Sequence, residues 1–244
     1  MTNLSLTINP EKEIKKIVRF LQHTFRRERV QNAVIGLSGG IDSMTSYFLL
    51  KKALPLKNIF PVHLPYDHVS LFILKNIPII SIKKPVDEYK KLLKTYDKIR
   101  LGNIMARVRM IILFDLAKKH KALVCGTENK SEHLLGYFTR FGDAASDIEP
   151  IQHLYKTQVY QLAKYLGVPQ KILDQKPTAG LWSGQTDEKE FGFTYKEADQ
   201  VLSLYFDKKI STEKIANMGY PNGEKIIAFE KKNSFKLKTP YIIY

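Results

Sequence analysis

The sequence predicts a doubly wound α/β fold, a parallel sheet flanked by helices. Three observations carry this. Short apolar runs of strand length alternate with longer segments of helical periodicity. The first of these runs, 33–37, breaks at Ser38-Gly39-Gly40 and passes directly into a helix. The chain has 244 residues, enough for one domain with a substantial core, and 1–244 is read as a single domain. Alternation of this kind favours parallel pairing, because parallel strands are joined by helical crossovers.

The elements follow in order. Asn9-Pro10 is a helix start, an N-cap followed by proline at the first helical position. Ile14, Ile17, Val18, Leu21 and Phe25 then recur at helical spacing and form a stripe for the core or a subunit contact. The strand at 33–37 and its turn come next, then a helix over 43–53 that ends near Pro55. Residues 58–64 read as a second strand and 79–82 as a third. The segment 66–77 between them is short for a crossover and can hold a brief helix. Residues 86–97 read as a helix, and 101–120 as a longer one. Arg107 and Arg109 stand two apart on that helix and point to different faces, one free for a ligand and the other for a structural ion pair. The fourth apolar run, 123–126, is followed by a turn and a helix. Further on, 155–166 is amphipathic and closes with Gly167. Residues 176–193 are rich in Gly, Ser, Thr and charge, and read as a long loop of the lid kind. Thr194-x-x-Glu197 has the spacing of a capping box ahead of Ala198, Val201, Leu202 and Tyr205. The tail is basic over 231–240 and apolar over 241–244.

Composition excludes several classes. No apolar run approaches the roughly 18–20 residues of a membrane span, and residues 1–10 lack the pattern of a signal peptide. A cytoplasmic protein with no membrane association is expected. Cys125 is the only cysteine, so the chain has neither an intrachain disulfide nor a cysteine metal cluster. It lies in an apolar run with no basic neighbour and reads as a buried side chain, not a nucleophile. His63, within the second strand, reads as structural. The net charge of +15 attracts polyanions, nucleotides included. Its lysine pairs are dispersed along the chain, which does not describe a nucleic-acid stripe, and no specific nucleic acid is expected as a partner.

Chemistry concentrates at Gly36, Leu37, Ser38, Gly39, Gly40, Ile41, Asp42 and Ser43. Glycines let a strand–helix turn gather backbone N–H groups into one concavity. The helix N-terminus adds unpaired donors and partial positive charge, and Ser38 and Ser43 add hydroxyls. Such a turn suits a phosphate or pyrophosphate. Asp42 repels phosphate unless a divalent cation lies between them. The turn lacks the Gly-Lys-Ser/Thr ending of a Walker loop and the Gly-x-Gly-x-x-Gly spacing of a dinucleotide fold.

Ser-Gly-Gly-x-Asp-Ser resembles the PP-loop of the ATP pyrophosphatases, which split ATP into AMP and pyrophosphate. Further strings follow in order: Gly-Asn-Ile-Met-Ala-Arg at 102–107, Gly-Thr-Glu-Asn-Lys-Ser-Glu at 126–132, Gly-Tyr-Phe-Thr-Arg-Phe-Gly-Asp at 136–143 and Asp-Ile-Glu-Pro-Ile at 147–151. Leu-Tyr-Lys-Thr at 154–157, Pro-Thr-Ala-Gly-Leu-Trp at 177–182 and Gly-Gln-Thr-Asp-Glu at 184–188 complete the series. Over about 14–240 the chain resembles the NAD synthetases. The resemblance implies an adenine nucleotide alpha-hydrolase-like fold. It implies a two-step ligase in which the carboxylate of deamido-NAD is adenylated by ATP and ammonia then displaces AMP.

The resemblance also implies roles. Residues 36–43, Thr127, Lys156 and Thr178 bind ATP, with Asp42 and Lys156 as the catalytic pair. Asp42 and Glu132 hold Mg²⁺. Arg107, Arg140, Asp147, Phe235 and Lys236 bind deamido-NAD. A homodimer is implied as well. No room remains for a glutaminase domain, so ammonia is the expected nitrogen donor. The chain departs from the family pattern at several positions. Glu128 stands where a small residue is usual and either faces solvent or weakens nucleotide binding. Arg140 replaces lysine, Thr178 replaces serine, Ala144-Ala145 replace a glycine pair, and Phe235-Lys236 replace His-Lys. The alternatives are another PP-loop adenylating enzyme, tRNA-modifying or GMP synthetase-like, and a non-catalytic nucleotide- or RNA-binding module.

Overall fold

The computed structural model describes residues 5–67, 76–182, 184–238 and 240–243. Helix α1 (Pro10–Arg27) opens as its sequence dictates: the Asn9 side chain accepts a hydrogen bond from the Lys12 amide at 3.0 Å, with proline just inside. Its stripe of Ile14, Ile17, Leu21 and Phe25 is buried. Strand β1 (Asn32–Gly36) leads through the glycine turn into α2 (Ile41–Ala53). Strand β2 (Ile59–Val62) follows, then α3 (Lys83–Leu92), α4 (Lys98–His120) and β3 (Ala122–Cys125).

The strands pair in parallel in the order β2–β1–β3. The central strand alternates its faces. Ala33 and Ile35 enter a core built with α1, α2 and α6 (Lys156–Leu166), whereas Val34 meets Ala117 of α4 and Val124 of β3 on the other side. Helices therefore cover both faces, and the doubly wound expectation holds. Because the three strands are parallel, their carboxyl ends share one edge, where ligands bind in such sheets.

The expected strand at 79–82 is a correction. Only a single parallel bridge, His63 to Ile79, is present there. His63 N donates to Pro78 O, and Ile80 N and Ile82 N donate to the carbonyls of His63 and Pro65, at 2.9–3.0 Å. Pro65 has no N–H to donate, so the ladder cannot continue. The brief helix expected in 66–77 falls largely on 68–75, outside the described residues. The helix expected at 86–97 begins earlier and ends at Leu92, where Lys94 turns left-handed with φ of 45°.

Among the described residues the remaining α-helices are α5 (Lys130–Leu135), α6, α7 (Gln170–Leu173), α8 (Asp187–Phe191), α9 (Tyr195–Leu202), α10 (Thr212–Asn217) and α11 (Gly223–Asn233), with a π-helical turn, Ser203–Asp207, continuing α9. Helix α8 interrupts the stretch expected to be loop throughout. Phe191, Phe193, Tyr195 and Phe229 pack ring against ring there, with centroids 5.3–5.8 Å apart. The apolar face of α9 enters this second core. A short 3₁₀ turn, Ser234–Leu237, follows α11. Among the described residues no helix is long and apolar enough to cross a membrane.

Candidate active site

At the carboxyl end of β1 the turn is built as its glycines suggest. Gly39 takes φ of 87°, a left-handed conformation open mainly to glycine. The Ser38 hydroxyl accepts from the Gly40 amide at 3.1 Å, lies 3.1 Å from the Ser43 hydroxyl, and Ser43 Oγ donates to Gly40 O at 3.0 Å. Leu37 and Ile41 turn their side chains into the core, 1% and 5% exposed. The Leu37 backbone is already engaged: its amide donates to Val62 O at 2.8 Å, and its carbonyl lies 2.7 Å from His63 Nδ1. The buried His63 therefore braces the turn, in keeping with a structural role.

Asp42, at the start of α2, meets two residues from beyond β3. Asn129 Nδ2 donates to Asp42 Oδ1 at 3.0 Å, and Lys156 Nζ donates to Asp42 Oδ2 at 2.5 Å. The same ammonium reaches Glu132 Oε1 at 3.0 Å. Asn129 is also the N-cap of α5. Its Oδ1 accepts from the Glu132 amide at 3.0 Å, and its own amide donates weakly to Glu132 Oε2 at 3.4 Å. This capping box fixes Glu132 relative to Asp42. Lys156 is only 2% exposed. Burial alone would lower its pKa; the Asp42 and Glu132 charges outweigh that and hold it well up, so it is an ammonium. Burial pushes the Glu132 carboxyl up, against the opposing pull of Lys156.

Helix α8 contributes a residue that carried no role in the sequence. Asp187 is 3% exposed and accepts from the Tyr137 and Tyr195 hydroxyls at 3.2 and 3.1 Å. The Tyr195 ring lies beneath Lys156, with Nζ 5.1 Å from its centroid, a cation–π contact. Asn129 and Asp187 are the residues that sequence reasoning missed. The Asn-x-x-Glu spacing of a capping box was the available signal for Asn129. For Asp187 only the string at 184–188 pointed there.

A second group assembles from α4, the 136–143 turn and the chain end. Arg107 donates from Nη2 to Arg140 O at 3.3 Å. The Arg140 guanidinium lies 5.2 Å from the Phe235 ring centroid. Lys236 Nζ donates to Gly136 O and Phe138 O at 2.7 and 3.0 Å, and burial lowers its pKa. Four of the five residues expected at the dinucleotide site thus stand together. The fifth, Asp147, accepts from the Val124 amide at 2.7 Å and so ties the chain to β3.

Other expectations fare differently. Thr127 lies just beyond β3, half-buried. Thr178 is exposed, with its hydroxyl accepting from the Gly180 amide at 3.1 Å. Among the described residues Arg109 has no ion-pair partner, and it donates instead to Leu64 O at 3.0 Å. Glu128 does not face solvent; it is buried against Gln152 and His133. Cys125 is buried and free, and burial pushes its thiol up, which suits an inert side chain.

A parallel α/β sheet whose central strand ends in a glycine turn, faced by two carboxylates and a buried lysine, defines a nucleotide-using enzyme of the PP-loop class. The NAD synthase family model matches residues 13–240, and the chain belongs to that family. It is 40% identical to the NH₃-dependent NAD⁺ synthetase of Fusobacterium nucleatum over 97% of each chain. It is 41% identical to that of Thermoplasma acidophilum, over 94% of this chain and 96% of the relative. Among solved structures, the NH₃-dependent NAD synthetase of Campylobacter jejuni, in complex with nitrate, superposes with a TM-score of 0.81 at 32% identity, covering 97% of this chain and all of the other. The NMN synthetase of Francisella tularensis gives 0.81 at 34% identity, covering 97% and 99%.

Proposed function

We propose that this chain amidates deamido-NAD with ammonia at the cost of ATP, yielding NAD, AMP and pyrophosphate. The observation that carries the reading is the convergence of Asp42 and Glu132 on one ammonium, Lys156, beside a glycine turn at the sheet's carboxyl edge. A carboxylate is a poor acyl electrophile, because its charge repels nucleophiles and oxide leaves badly. Adenylation removes the charge and supplies a leaving group. The turn and the N-terminus of α2 receive the departing pyrophosphate. Lys156 offers a charge-assisted donor to the negative charge that develops on the transferred phosphate. Arg107 and Arg140 offer cations to the dinucleotide's phosphates, and Phe235 an aromatic face to a ring.

Asp42 and Glu132 fit Mg²⁺. They are hard oxygen donors that already reach one common nitrogen, and magnesium characteristically binds one or two carboxylates together with substrate phosphates. When bound, it neutralises phosphate charge during displacement. Ammonia as the direct donor follows from the likeness to NH₃-dependent relatives along nearly their whole length. A homodimer is supported by exposed apolar side chains on α3, the connection after it and the start of α4, namely Tyr89, Leu92, Leu93, Tyr96 and Ile99. A cytoplasmic setting agrees with the free, buried cysteine.

A second reading, amidation of the mononucleotide to NMN, is favoured by the likeness to the Francisella tularensis structure. One assay separates the two. The enzyme, ATP, Mg²⁺ and ammonium are incubated with either deamido-NAD or nicotinate mononucleotide, and the products are resolved by chromatography. NAD with stoichiometric AMP and pyrophosphate is expected. NMN formed in preference to NAD would establish the second reading, and ADP as the product would overturn both.

A further inference from the structure

Beside the Asp42–Glu132 pair lies another acidic group that adenylation does not use. Glu128, on the loop after β3, is 8% exposed. Its Oε2 accepts from Gln152 Nε2 at 2.8 Å and lies 3.4 Å from His133 Nδ1, too long for a strong bond. Its Oε1 is buried with no hydrogen-bond partner. Glu149 closes onto the same loop: Oε2 accepts the Glu128 amide at 3.0 Å and Oε1 the Ser146 hydroxyl at 2.7 Å. The approach is so tight that a Cβ on Gly126 would fall 1.8 Å from Glu149 Oε1. Burial pushes the Glu149 carboxyl up to about 8; the Ser146 hydroxyl opposes this, and the Glu128 charge adds to it.

In a chain of net charge +15, a buried glutamate with a half-buried one closed against its loop calls for an explanation. Among the described residues its ion-pair partner is His133, and no Lys or Arg reaches it. Buried polar atoms are nearly always satisfied, and a buried carboxylate without a cation is costly. Among the described residues no group of three His, Cys, Asp or Glu side chains could hold a metal ion, and with only two carboxylates a divalent cation is poorly served. A small monovalent cation that itself donates hydrogen bonds suits these acceptors better. Glu128 also neighbours Asn129, which bonds Asp42, so a cation here sits one residue from the adenylating centre.

We propose that Glu128 and Glu149 form a binding site for ammonium that loads the nitrogen donor beside the acyl-adenylate. This rests on ammonium being the nitrogen source and adds where it is captured.

The test measures NAD formation against ammonium chloride, at saturating ATP and deamido-NAD, for the full-length enzyme, Glu128→Gln and Glu149→Gln. In Glu128→Gln the loss of a charge-assisted hydrogen bond raises the KM for ammonium roughly tenfold or more; Glu149→Gln, which replaces a carboxyl that holds its proton at neutral pH, raises it less. The KM values for ATP and deamido-NAD stay within about twofold. A second arm, independent of the variants' folding, soaks crystals of the unaltered enzyme in rubidium chloride and reads the anomalous signal. Density at Glu128 that ammonium displaces supports the site. Density that ammonium does not displace assigns it to alkali metal ions and overturns the proposal. An unchanged KM for ammonium in both variants overturns it too, while the enzyme's NAD synthesis stands. An unaltered enzyme that makes no NAD from ammonium sinks the reading beneath it.

Discussion

Replacing Lys156 with methionine tests the electrostatic centre most directly. The substitution keeps the apolar stem and removes the cation that, among the described residues, bonds both Asp42 and Glu132. Volume is nearly conserved, so packing contributes little. Breaking a buried ion pair by deleting one partner costs about 3–5 kcal/mol. The chain has one escape. Glu132 is already pushed up by burial, to about 8, and without Lys156 it keeps its proton at neutral pH and above, which holds the penalty near ~3 kcal/mol. At roughly 2–4 °C per kcal/mol for a chain of this size, Tm falls by about 6–12 °C. The sign with pH follows. A carboxyl whose folded pKa is raised gives its full stability below the unfolded pKa and loses it as pH rises. The parent's Glu132 is raised too, to about 8, so both proteins lose this contribution alike below that pH and the deficit of Lys156→Met widens only above it. Mg²⁺, which binds the native state alone, recovers part of it. Differential scanning calorimetry at neutral and alkaline pH, with and without Mg²⁺, reads all three effects. A variant that melts within about 2 °C of the parent at neutral pH, indifferent to Mg²⁺, would refute the desolvated carboxylate pair.

Three further outcomes are expected. Asp42→Asn lowers pyrophosphate release from ATP by about a hundredfold or more, with an unchanged far-ultraviolet circular dichroism spectrum; near-normal turnover would remove Asp42 from the centre. Gly126→Ala drives Glu149 from the Glu128 amide and costs about 1–3 kcal/mol in urea unfolding, and a neutral result would show that the loop shifts freely. The third concerns Asp199, which burial raises to about 6 against the Ser131 hydroxyl and Thr157 amide that stabilise its charge. The parent loses the stability this group contributes as pH rises from about 4 through 6. Asp199→Asn lacks that slope, so its stability relative to the parent improves by up to ~3 kcal/mol between those limits. Parallel pH profiles for the two proteins would contradict this.

What could be read from the sequence follows the range of the interactions. The glycine turn was legible because its chemistry is local: Ser38, Gly40 and Ser43 satisfy one another within six residues. The helix at Pro10 was legible for the same reason. The strand expected at 79–82 failed on a residue outside it, Pro65, whose missing N–H ends the ladder. Helix α8 escaped because five residues show no period. In the site, Lys156 stands 114 residues from Asp42. Nothing local to either residue announces their contact, and it was reached through the ordered motifs. Glu128 was noticed as out of pattern, but its surroundings belong to Glu149 and Gln152, so the sequence could not show that it turns inward.

The 3₁₀ turn of Ser234–Leu237 sets a schedule for the molecule. Lys236 reaches back 100 residues to Gly136 O, and Phe235 covers Arg140. The glycine turn, Asp42, Glu132 and Lys156 are all translated well before it. A nascent chain can therefore bring the glycine turn and the Asp42–Lys156–Glu132 contacts together while Arg107 and Arg140 still lack the wall that Phe235 and Lys236 supply. Proteolytic clipping after α11 would reproduce the same half-built state in the finished protein, leaving the glycine turn intact and Arg140 uncovered.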